Sequence, residues 1–133
     1  MKDEADEIDE IKRRMLEGMA KQSYPSEPLR MDERSFEQTL SDYPVVVVDC
    51  YADWCAPCRM MSPMIKELSR EFQGKIVFGK VNIDESREIA VQFGVQSIPT
   101  LLIFKENKLV DRVIGVVQKD RLAEHLLQYV QQV

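Results

Sequence analysis

Cysteine is scarce in this chain, three among 133 residues, and histidine is scarcer, with only one. Three is an odd number and too few for a disulfide scaffold, so a small secreted framework held by bridges is a poor description. A zinc centre fares no better. Zinc takes four ligands, usually from Cys and His, and a single C-x-x-C supplies two; the other candidates would be Cys50 and His125, and no second pair with zinc spacing exists. Basic charge is not in excess either. The 18 Lys and Arg against 23 Asp and Glu give a net charge of -5, which argues against a nucleic acid or an anionic membrane as the main partner. No apolar run approaches the length of a bilayer span. The opening segment, "MKDEADEIDEIKRR", is acidic where a leader peptide would be basic and then apolar, so the expected location is cytoplasmic. Repeats and low-complexity tracts are missing too, which leaves out solenoids and disordered arrays.

What is present fits one ordinary domain, 44% apolar and 31% charged, long enough to bury its own core. Residues 3–20 carry Ile8, Ile11, Met15, Leu16 and Met19 at helical spacing, with acids first and Lys12, Arg13 and Arg14 after them, as a helix dipole favours. Two prolines and small polar residues then mark a linker over 21–28. The chain thus divides into an extension, 1–28, and a compact domain, 29–133. In the domain, Val45–Val48 continues through Asp49 and Cys50 as a central strand buried on both faces. A helix follows over 57–72, with Pro63 inside it as a kink. Further on, the pattern predicts a strand over 76–83, a short helix over 87–93, strands over 100–105 and 109–115 joined by "ENK", and a closing helix over 119–131 with Leu122, Leu126, Leu127 and Val130 inward. Strand, helix, strand, then hairpin implies an α/β sandwich: a mixed sheet with helices on both faces and a right-handed βαβ crossover.

The chemistry concentrates in "CYADWCAPCRM", residues 50–60. Cys55 falls where the central strand ends and a helix begins, near unpaired N–H groups and the positive end of the helix dipole, a setting that favours thiolate. Cys58 is one turn on and on the same side, close enough for a reversible disulfide. Pro57 suits the first helical turn, where its missing N–H costs nothing. Alternation along the strand puts Val46, Val48 and Cys50 on one face and Val45, Val47, Asp49 and Tyr51 on the other. Cys50 therefore reads as a packed core thiol with a raised pKa. Asp49 has two readings. Burial would raise its pKa and let it exchange a proton with Cys58, directly or through one water; alternatively it caps the strand end and reaches solvent.

The stretch "VVVVDCYADWCAPCRMMSPM" resembles the active-site strand and helix of the thioredoxin family. "GKVNID" and "FGVQSIPTLLIFK" resemble two further family segments, and Gly115 falls where a glycine precedes the last helix. The resemblance runs from about residue 29 onward and leaves out the first 28. It implies a thioredoxin-like three-layer α/β/α sandwich and a protein-disulfide reductase that cycles the C-x-x-C pair, with no bound cofactor beyond the Cys55–Cys58 disulfide. By the same resemblance Cys55 is the exposed attacking thiol and Cys58 the buried resolving one, Asp49 is the buried carboxylate beside Cys58, and Lys80 is its neighbouring lysine. The implied substrate-facing residues are Trp54, Ala56, Pro57, Ile98 and Pro99, the last in a cis peptide that leaves the Ile98 main chain free to pair with an extended substrate. Disulfide-containing proteins are the implied substrates, a thioredoxin reductase the implied electron donor, and a monomer the implied state.

Three positions depart from the family pattern. Ala56 replaces a glycine between the cysteines, and the dipeptide there tunes the reduction potential. Cys50 stands for an aromatic. The hairpin lacks its frequent glycine, which assigns Asn107 to the left-handed position. Two other function classes share these motifs: a thiol oxidase or isomerase on the same fold, and a binding module in which the amino-terminal helix recruits a partner.

Overall fold

Four consecutive valines and the two residues after them build the middle of the molecule. In the computed structural model, which describes residues 3–130, β2 (Val45–Tyr51) is buried along nearly its whole length. It pairs in parallel with β3 (Val77–Asn82) and antiparallel with β4 (Thr100–Lys105), which pairs antiparallel with β5 (Lys108–Ile114). A two-residue strand, β1 (Leu29–Arg30), runs parallel to β3, so the sheet order is β1-β3-β2-β4-β5. Five helices accompany the sheet among the described residues: α1 (Glu4–Ser23), α2 (Phe36–Asp42), α3 (Ala56–Glu71), α4 (Arg87–Gln92) and α5 (Lys119–Val130).

The period-two alternation of β2 divides the core. On one face Val45 and Val47 meet Met61, Ile65 and Leu68 of α3 and Leu122 and Leu126 of α5. On the other, Val46, Val48 and Cys50 meet Phe36 and Leu40 of α2 and Ile89 of α4. Helices on both faces make the three-layer α/β/α sandwich, and burial of these side chains, each contributing about 1.5–3 kcal/mol, is its main driving force. Gly79, in the middle of β3, has the Met31 thioether lying where a side chain would begin, which explains a glycine inside a buried strand.

Four details differ from the sequence reading. β1 and α2 were not expected: two residues of strand are too short to show a period, and the seven residues of α2, whose N-cap is Ser35, carried no pattern that the sequence reading singled out. Leu127 is 42% exposed where it was expected inward; α5 turns about 100° per residue, so with Leu126 fully buried its successor points away. Residue 131, the expected end of that helix, lies outside the described residues. In the amino-terminal helix Ile8, Ile11, Met15 and Leu16 are all exposed, while the side chain of Met19 lies outside the described residues.

The fourth concerns the hairpin. Its loop holds two residues, and both Glu106 (φ 49°) and Asn107 (φ 65°) are left-handed, the geometry of a type I′ turn. The missing glycine thus places strain on Glu106 as well as on Asn107. Replacing Glu106 by Gly is expected to stabilise the fold by about 0.5–1 kcal/mol, the relief of the left-handed penalty outweighing the added chain entropy. A higher melting temperature in thermal denaturation checks it; an unchanged or lower one would show that the turn carries no strain at Glu106.

Candidate active site

The end of β2 delivers the chain to α3 across a tight corner, residues 52–55. Cys55 is the N-cap of α3, and its Sγ accepts the first-turn N–H of Cys58 at 3.2 Å. A helix leaves its first N–H groups without intrahelical partners, so this bond places a donor where negative charge on Cys55 would develop. Pro57 sits in the first turn. Cys55 and Cys58 are joined in a disulfide with their Cα atoms 5.3 Å apart. Both cysteines are buried, 4% and 3% exposed, so the expected contrast between an exposed and a buried thiol does not hold for this oxidised pair. The reason is packing: Ala52, Tyr51, Ile83 and Ile98 close around both. What distinguishes the two is direction, because Cys58 lines a cavity with Asp49 and Cys55 does not.

That cavity, about 130 Å³, is bounded by Asp49, Tyr51, Ala52, Asp53, Cys58, Arg59, Ser62 and Lys80. Asp49 is 6% exposed, and its Oδ1 has no hydrogen-bond partner among the described residues. Burial drives its pKa up to about 6, against the opposing pull of the Lys80 cation. Lys80 stands directly across from Asp49 in the parallel β2–β3 register, and its Nζ lies 5.3 Å from the centre of the Tyr51 ring. The reading of Asp49 as a strand cap reaching bulk solvent therefore does not hold, because neighbouring elements cover the end of the valine strand on which it sits.

Trp54 is 68% exposed beside the disulfide, held by its Nε1 donating to Asp84 Oδ2 at 2.9 Å. Arg59 donates to the Asp53 carbonyl at 2.6 Å and steadies the corner. Ile98 packs against the cysteines from the segment before β4, and the Ile98–Pro99 peptide is cis. The Thr100 hydroxyl donates to the Ser97 carbonyl at 2.7 Å, and the N–H of Gly115 (φ 88°) donates to the Pro99 carbonyl at 2.9 Å. Between those two anchors the Ile98 main chain makes no hydrogen bond among the described residues.

Cys50 lies on the opposite face of β2, fully buried, its thiol pushed up to about 12 by burial and by the Asp49 charge, with Arg112 opposing. Its side chain packs in the core with Val46 and Val48. His125 is engaged elsewhere: its Nε2 lies 2.6 Å from Asp111 Oδ2, which also accepts the Tyr129 hydroxyl at 2.8 Å and so ties α5 to β5. Among the described residues no group of three or more Cys, His, Asp or Glu could hold a metal ion, and no helix is long and apolar enough to cross a membrane.

The structure thus gathers Cys55, Cys58, Asp49, Lys80, Trp54, Ala56, Pro57, Ile98 and Pro99 at one end of the sheet. Residue patterns alone did not reach Asp84, Ser62 or Glu27. Asp84 ends the quoted "GKVNID" stretch, but its bond to Trp54 spans 30 positions of sequence and has no local signal.

Comparison with known proteins agrees with this site. The family profile described as thioredoxin matches residues 27–128. The chain is similar to thioredoxin 1 of Nostoc sp., 44% identical over 73% of this chain and 92% of that protein, and to a thioredoxin of Synechocystis sp., 43% identical over 75% and 94%. Among solved structures it is similar to a mutant thioredoxin from Halobacterium salinarum, with a TM-score of 0.79 at 32% identity, covering 84% of this chain and 97% of that one.

Proposed function

Since the chain belongs to the thioredoxin family and acts as a protein-disulfide reductase through its C-x-x-C pair, we propose the following division of labour among its residues. The supporting observation is the Cys55–Cys58 pair at the start of α3, with Cys58 sharing a cavity with a buried, unpartnered Asp49. The Cys55 thiolate attacks one sulfur of a substrate disulfide. The substrate S–S bond breaks, one sulfur leaves as thiolate, and a mixed disulfide joins Cys55 to the other. Asp49 takes the proton of Cys58, whose thiolate then attacks Cys55; the Cys55–Cys58 bond forms and the second substrate thiolate is expelled. Two electrons have moved from the dithiol to the substrate.

Lys80 favours the ionised Asp49 and so keeps it ready to accept. Trp54, Ala56 and Pro57 form the surface a substrate meets, and the unpaired main chain of Ile98, beside Pro99, can add an extended substrate segment as a strand. Disulfide-bearing proteins are substrates of this family and a thioredoxin reductase is its usual electron donor; for this chain we propose such a reductase, a monomeric state, no cofactor beyond the redox disulfide, and a cytoplasmic location. The catalytic domain occupies 29–133 in this reading, with 1–28 an extension. Reduction of insulin by dithiothreitol, followed as precipitation of the freed chains, tests the activity. Equilibrating the dithiol with glutathione buffers separates a reductase from an oxidase or isomerase on the same fold, since a potential near that of an oxidase would reverse the direction of electron flow.

The proton role of Asp49 predicts two linked effects. A folded-state pKa raised to about 6 means that the protonated acid contributes its full stability below about pH 4, and that this contribution is lost as pH rises through 6. The loss is about 3 kcal/mol. In Asp49→Asn the slope disappears, so by urea denaturation the variant gains on the parent by roughly that amount between pH 4 and pH 8. Its turnover should fall more at neutral pH than at high pH, where hydroxide takes the Cys58 proton instead. Equal rates across the range would leave Asp49 a structural residue.

A further inference from the structure

The linker that precedes β1 is bound to the body of the domain before the sheet begins. The Tyr24 carbonyl accepts Gln73 Nε2 at 2.9 Å, its ring meets Tyr43 edge-on at 5.1 Å, and Glu27 pairs with Arg70 of α3 at 3.5 Å. These contacts bring Glu27 and Pro28 into the wall of a second cavity of about 140 Å³, whose other lining residues are Asp49, Ser62, Ile65, Lys66 and Lys80. Asp49 therefore stands between two cavities, one shared with Cys58 and one shared with Glu27. The second is lined mainly by polar atoms and the first by a mixture of polar and apolar ones, and each is large enough for several waters.

We propose that Glu27 is the outer station of the proton path, carrying to and from solvent the proton that Asp49 exchanges with Cys58. The relay rests on Asp49 being the proton acceptor of Cys58. The groups that face Asp49 leave few alternatives. From β3 comes Lys80, and from α3 come Arg59 and Lys66, cations with donors only and no acceptor. From the end of β2 come Tyr51 and Asp53, on the Cys58 side. β4 contributes Leu101, an apolar partner in the ladder. On the far side the remaining acceptors are the Ser62 hydroxyl and the Glu27 carboxylate. Glu27 is 59% exposed at its side chain and so meets bulk solvent directly. The balance closes without another reagent: the Cys58 S–H breaks, an O–H forms on Asp49, that proton passes through the second cavity to Glu27 and then to solvent, and the expelled substrate thiolate draws a proton from solvent.

The test is the single-turnover oxidation of reduced, full-length protein by insulin, at neutral pH and in dilute buffer. Glu27→Gln should react about threefold to tenfold more slowly than the parent. Rising concentrations of imidazole buffer should restore its rate, because a mobile base replaces the missing carboxylate, and Glu27→Asp should recover most of the loss. A Glu27→Gln rate equal to the parent's in dilute buffer overturns the proposal. So does a slower rate that imidazole leaves unchanged, since that reports only the lost pair with Arg70. Asp49→Asn in the same assay separates the relay from the acceptor role. If it alters the pH profile while Glu27→Gln does not, only the relay fails; if neither variant moves the profile, the role of Asp49 fails with it.

Discussion

Cys55→Ser is expected to reduce insulin no faster than dithiothreitol does alone. Serine keeps the N-cap geometry and can accept the Cys58 N–H that Cys55 Sγ now accepts at 3.2 Å, so the fold should survive. What is lost is the nucleophile: a hydroxyl is not ionised by a helix terminus at neutral pH, and an oxygen cannot form the mixed disulfide. Cys50→Ala supplies the contrast within the same strand. Its thiol is fully buried on the face away from the dithiol and held near 12, so the variant should keep most of the activity and lose about 1 kcal/mol of stability to the small cavity. Undiminished catalysis by Cys55→Ser would overturn the mechanism, and a comparable loss in Cys50→Ala would move the reactive thiol to the wrong side of the sheet.

Cys58→Ser should convert the protein from a catalyst into a trap. Attack by Cys55 needs only its own thiolate, whereas release needs a second sulfur, and Cys58 is the residue placed for it, with its Cα 5.3 Å from that of Cys55. With that sulfur gone, the mixed disulfide persists and multiple turnover stops. Incubating the variant with insulin and separating the products without reductant should give a covalent adduct that dithiothreitol dissolves. Cys55→Ser/Cys58→Ser should give none. If Cys58→Ser turns over repeatedly, another thiol resolves the intermediate, and the only other one in the chain, Cys50, is fully buried on the opposite face.

Much of this was legible along the chain because it is encoded within short distances. A run of valines with Asp49 and Cys50 at its end is a buried strand by composition, and its alternation alone assigned Cys50 to one core and Asp49 to the other face, as found. The C-x-x-C spacing, with proline in the first turn, is a local statement about one helix terminus. A strand of two residues carries no period, which is why β1 appeared only in the fold; α2 was missed although the still shorter α4 was read, so brevity alone does not hide a helix. The left-handed Glu106 was missed for a related reason: a two-residue loop imposes its backbone on whatever residues occupy it, and a glutamate gives no sign of the demand.

Residues within a turn or a strand of one another were enough for the family, the redox pair and the alternation of the central strand. The environment of Asp49 needed the folded chain. Whether a carboxylate at a strand end reaches water depends on what covers it, and here the cover comes from Lys80 on a neighbouring strand, Ser62 on a helix and Glu27 on a linker 22 positions earlier. Desolvation is a sum over everything nearby in space, so no spacing along the chain could have announced it.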